Sequence, residues 1–188
     1  VRPITSALTA LALHRLGLDI EAGRIYDFFS SPLAATGYVL PTYLTSGQAG
    51  PNRLAWLNDD GAIIKPIRLS DNATLLYALA RSILLSIENN KQTPQGWKKR
   101  WQKIGRVLAD FLCDNIDPAS KLPRPTYQLW SDQPSTSSSD VIATYEALRL
   151  ASQVADKLRD VDSAIKYRVV IDDISANVDE LWNKRTGY

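Results

Sequence analysis

Methionine is absent from this 188-residue chain, and cysteine and histidine occur once each. With Val1 in first place, the missing methionine makes the sequence an expected piece of a longer polypeptide, which leaves compartment open. A lone cysteine, Cys113, excludes an internal disulfide framework. The lone histidine, His14, has no cysteine or second histidine with which to hold zinc, and is expected to be structural. Charge of one sign is also missing. Lys and Arg number 22 against 20 Asp and Glu, a balance of +2 that argues against a polyanion as the main partner. No apolar run reaches the roughly 18–20 residues of a membrane span, because Arg81 interrupts the best candidate, 75–87. No metal, cofactor, nucleic acid or membrane is therefore expected as a partner.

What is present is an alternation of two kinds of helix. Segments 5–16, 72–87 and 140–154 read as helices apolar almost all round, which need protein on every side. Each precedes a helix with one apolar stripe and a charged back: 20–30, 97–115 and 162–184. Gly17 is expected to stop the first helix and Asp19 to cap the second. The links after the first, third and fifth helices are short, and those after the second and fourth are long. An up-and-down layout then puts both long loops at one end. The fold class expected is all-α, about half of an (α/α)6 barrel, with inner and outer helices alternating. The whole chain, 1–188, reads as a single domain truncated at both ends, the rest of the barrel coming from the parent chain.

The long loops, 31–70 and 117–139, carry Tyr38, Tyr43, Trp56, Tyr127 and Trp130 with few charges. Long irregular loops in a compact domain are often functional, and aromatic rings offer faces to the C–H faces of sugars. Other signals are plainer. The basic run from Trp97 to Lys103 sets its tryptophans on the apolar stripe and its cations opposite, as a solvated outer helix does. Asn58-Asp59-Asp60-Gly61 lacks the glutamate of a calcium loop. Asp140 is expected as a cap and Glu146 as a helix-face charge, and the serines 135–139 cap without a bound anion.

Pro125-Thr126-Tyr127-Gln128-Leu129-Trp130-Ser131-Asp132, followed by Ile142-Ala143-Thr144-Tyr145-Glu146, resembles the Tyr-Asp-Leu-Trp-Glu-Glu loop and next helix of the family 15 glycoside hydrolases, the glucoamylases and glucodextranases. Gly37-Tyr38-Val39-Leu40-Pro41-Thr42-Tyr43 and Pro66-Ile67-Arg68-Leu69-Ser70-Asp71-Asn72 resemble two further stretches of that family in the same order. The helix from Ala7 to Leu13 sits where the family has the one after its Trp-x-Arg-Asp motif. The resemblance implies a barrel that releases glucose from α-glucan ends by inversion, with one carboxyl as acid and another activating water. The family's acid position is Ser131 here, and a hydroxyl is too weak an acid for that task. The resemblance leaves Asp132 as the catalytic candidate, with Trp130, Tyr127, Tyr43, Trp56, Arg68 and Asp71 as substrate-binding candidates and the base outside the chain. It also implies an α-glucan or oligosaccharide as partner. The alternative is a catalytically inactive binding or scaffold domain, as in the non-catalytic subunits of phosphorylase kinase.

Overall fold

In a computed structural model the structure describes residues 1–48, 67–89, 95–126 and 134–181, and the backbone of 56–57 and 63–64. Among the described residues the regular elements are helices, apart from two isolated bridges and a two-residue antiparallel ladder, β1 (Trp56–Leu57) with β2 (Ile63–Ile64), in which Trp56 pairs with Ile64. The helices are α1 (Pro3–Arg15), α2 (Asp19–Phe28), α3 (Ser30–Thr36), α4 (Leu69–Glu88), α5 (Gln95–Arg100), α6 (Arg106–Asp114), α7 (Ser138–Lys157) and α8 (Val161–Asn177). A π-helical turn, Trp101–Gly105, joins α5 to α6, and a 3-10 turn, Val178–Leu181, follows α8.

Helix α4 stands between α1 and α7, and α2, α6 and α8 pack along that row. The pattern of apolar residues explains the order. In α4, Leu75, Leu76, Leu79, Ala80, Ile83 and Leu84 are all buried, so this helix is covered on nearly every side. Helices α1 and α7 flank it, and each keeps an open side where Leu8 and Ile142 are exposed. The outer helices bury one stripe each: Ala22 and Tyr26 in α2, Trp101, Ile104, Leu108 and Leu112 across the π turn and α6, Ala164, Tyr167 and Ile171 in α8.

Gly17 does end α1. At φ +82° it lets the Gly17 amide donate to the His14 carbonyl and the Leu18 amide to the Leu13 carbonyl, closing the last turn. Asp19, expected as a cap, is instead the first residue of α2, and its carboxylate lies 2.7 Å from Nδ1 of buried His14. His14 also meets Ser86 of α4 across 3.3 Å, so the ring joins α1, α2 and α4. The second expected helix is α2, and α3 lies in what reads from sequence as the first long loop. Phe29 breaks the run, and α3 continues it with Leu33 buried, until Gly37 at φ +78° ends it. Pro32 reads as a break in sequence, yet a proline in a first turn removes no helical hydrogen bond.

Cys113 lies half-buried on α6, and burial pushes its thiol up to about 12. At pH 8 the thiolate fraction is then about one part in ten thousand. A disulfide-exchange reagent should therefore label the folded chain very slowly and the denatured chain at once. Rapid labelling of the folded chain at pH 8 would contradict the burial seen here.

Candidate functional site

Helices α1, α4 and α7 run parallel. The C-terminal halves of α1 and α4 meet at His14 and Ser86, while their N-terminal ends share the chain that follows α3. There the Val1 amino group donates to the Tyr43 carbonyl at 2.6 Å and the Tyr43 amide donates to the Val1 carbonyl. Buried Asn72, in the first turn of α4, accepts from the Val39 amide at 2.8 Å and donates to the carbonyls of Val39 and Arg68. The second long connection reaches the same end. Thr126 pairs with Ser135 through two main-chain hydrogen bonds, and the Thr126 hydroxyl donates to the Asp140 carboxylate at 3.1 Å. Thr126 and Ser135 thus lie together beside the first turn of α7.

Two buried carboxylates lie at this end. Asp71 and Asp140 occupy the same third position of the neighbouring helices α4 and α7. Burial raises the Asp71 carboxyl to about 6, Arg68 pulls it back, and Asp140 adds to the rise. Asp71 Oδ2 accepts no hydrogen bond among the described residues and lies 3.9 Å from Arg68 Nε, within Coulombic reach only. Asp140 is differently provided for. It accepts from the hydroxyls of Thr126 and Ser137, while its own amide donates to Ser137 Oγ. Ser137 is therefore the cap of α7 and Asp140 its reciprocal partner, rather than the cap expected from the sequence.

Of the candidates named from sequence, Arg68 and Asp71 come together. Tyr43 lies close by, but its ring is buried edge-on against Phe28 and Phe29, and its hydroxyl accepts from the Leu40 amide at 2.7 Å. Trp56 is in β1 and is described by its backbone alone. Tyr127, Trp130, Ser131 and Asp132, and the turn Asn58-Asp59-Asp60-Gly61, lie outside the described residues. Glu146 pairs bidentately with Arg149 along the half-exposed side of α7. Sequence reasoning did not place Asp140 near Asp71. The available signal was positional: each is an aspartate one turn into an all-round apolar helix that follows a long loop.

The arrangement offers a guanidinium donor, a carboxyl whose value burial raises to about 6, and a buried carboxylate that accepts from two hydroxyls. No grouping of His, Cys, Asp and Glu among the described residues has the makings of a metal site. No protein-family model matches the sequence, and neither a curated protein nor a solved structure matches it at a significant level.

Proposed function

We propose that this chain is part of a glucoamylase-like (α/α)6 domain that binds non-reducing ends of α-linked glucans at the end carrying Arg68, Asp71 and Asp140, without cleaving them. The observation that supports this reading is the pairing of Thr126 with Ser135 beside Asp140. These two residues flank in sequence the segment with the sugar-loop resemblance, and they lie at the same end as Arg68 and Asp71, the residues of the second motif. Binding is preferred to hydrolysis because Ser131 stands where the family's acid would be.

Titration calorimetry with maltooligosaccharides tests the reading, alongside an assay for glucose release. Binding without release is expected, and Arg68→Ala should weaken it about tenfold by removing a charged donor from the site. No heat with any oligosaccharide would reject the proposal. Release of glucose that is abolished in Asp132→Asn would replace binding with hydrolysis and give Asp132 the acid's role.

A further inference from the structure

The opposite end of the molecule carries a pattern that glucan binding does not use. The links 16–18 and 158–160 turn there, and there α4 ends and α5 begins. Among the described residues the two most exposed large apolar side chains are Leu16, 76 % exposed, and Ile20, 68 % exposed, both at the α1–α2 turn. Val161, at the α7–α8 turn, is 60 % exposed, and Leu18 is exposed as well. Scattered apolar tips are ordinary on any surface, but these share one end with cations.

Arg15, Lys98, Lys99, Lys157 and Arg159 are exposed at that end, and none forms an ion pair among the described residues. The acids there are mostly engaged: Asp27 by Arg100, Glu88 by Arg81, Asp156 by Arg168, Asp160 by Arg106. Glu21 and Asp162 are the exceptions. A whole-chain balance of +2 makes this segregation of charge rather than general basicity. Arg159 adds a separate observation. It holds φ +61° at the position of the α7–α8 turn that Gly17 fills, at φ +82°, in the α1–α2 turn. A side chain there costs about 1 kcal/mol that glycine avoids, so a cation is kept where the backbone disfavours it. On the outer layer, Gly96, Lys98, Lys99 and Gln102 line an open cleft of about 650 Å³.

We propose that this end docks on an anionic lipid surface, with the aliphatic side chains entering the interfacial layer and the cations meeting headgroup phosphates. The exposed apolar groups decide between lipid and nucleic acid. A nucleic-acid surface stacks bases on aromatic rings, whereas Trp97 and Trp101 are buried here and the exposed tips are all aliphatic. No described helix is long and apolar enough to cross a membrane, so the contact is peripheral. Docking in this way leaves the end with Arg68 and Asp71 facing away from the lipid, and does not depend on the glucan reading.

Co-sedimentation of the full chain with phosphatidylcholine vesicles, with and without phosphatidylglycerol, tests the proposal. Binding is expected only with phosphatidylglycerol and should weaken as salt is added. The Lys98→Gln, Lys99→Gln double variant should partition about thirtyfold less. Leu16→Ser with Ile20→Ser should lose about tenfold while unfolding at the same temperature, since both side chains are solvent-facing. Absence of binding to phosphatidylglycerol vesicles overturns the proposal. So does undiminished binding of the serine variant, which would reduce the effect to charge adsorption, or tighter binding to RNA than to vesicles.

Discussion

Asparagine in place of Asp71 raises the stability of the folded chain at pH 7, by about 2 kcal/mol. The reasoning starts from burial. A carboxyl whose ordinary value is 3.8 is pushed to about 6 in the fold, mainly because a buried charge loses its water. Below pH 4 both folded and unfolded states hold the proton, and Asp71 carries no charge penalty. As pH rises from 4 to 6 the unfolded chain releases the proton while the folded chain keeps it, so stability falls across that window. Above 6 the penalty is constant. The shift of about two units already includes the attraction to Arg68 and corresponds to roughly 3 kcal/mol, an upper bound on the gain, and the buried donor that the amide brings lowers the expected gain to about 2 kcal/mol. The check is a pair of denaturant titrations at pH 4 and pH 7. The difference between the variants should grow with pH. Equal stabilities at both values would mean that Asp71 is solvated or paired in solution. The same substitution should weaken maltooligosaccharide binding, which is the trade between stability and a working site expected of a strained polar group.

Alanine at Gly105 has the opposite sign. In an exposed helix Gly→Ala stabilises by up to about 1 kcal/mol. Here a Cβ would lie 2.3 Å from Cε3 of Trp101, whose ring is buried over the bare glycine backbone. The ring has no free space to turn into, because Trp101 belongs to the main apolar core. Either the indole leaves its place or the π turn reorganises, and overpacking of this kind costs about 1–3 kcal/mol. A net loss of about 2 kcal/mol, equivalent to a drop of roughly 5 °C in Tm for a chain of this length, is expected from thermal unfolding. An unchanged or higher Tm would show that Trp101 does not lie against Gly105.

The helices were legible because their signals are local. Apolar residues at 3.6 spacing marked the buried α4 and the one-sided α6 and α8, and Gly17 marked a stop whose hydrogen bonds are visible at Leu13 and His14. Helix α3 was not legible inside the expected loop 31–70, since Pro32 reads as a stop, whereas the buried run Ala22, Tyr26, Phe29 and Leu33 carries on past it. The role of Asp19 was misread for a physical reason: a carboxylate beside a helix start serves equally as a cap or as a partner for a ring nitrogen, and His14, brought close by the turn, decided it. At the site, Arg68 and Asp71 were readable three residues apart on one strand of sequence. Asp140 was not, because its place at the same end as Asp71 depends on α4 and α7 lying side by side, and no local pattern encodes which helices become neighbours.

Backbone amide shifts on titrating maltooligosaccharide into the isotope-labelled chain test the central claim most directly. The prediction is a saturable change confined to the end with the long connections, at Val39, Arg68 to Asn72, Thr126 and Ser135 to Val141, with Leu16, Lys98 and Arg159 unmoved. Shifts gathered instead around those last three residues, or none anywhere, would contradict it.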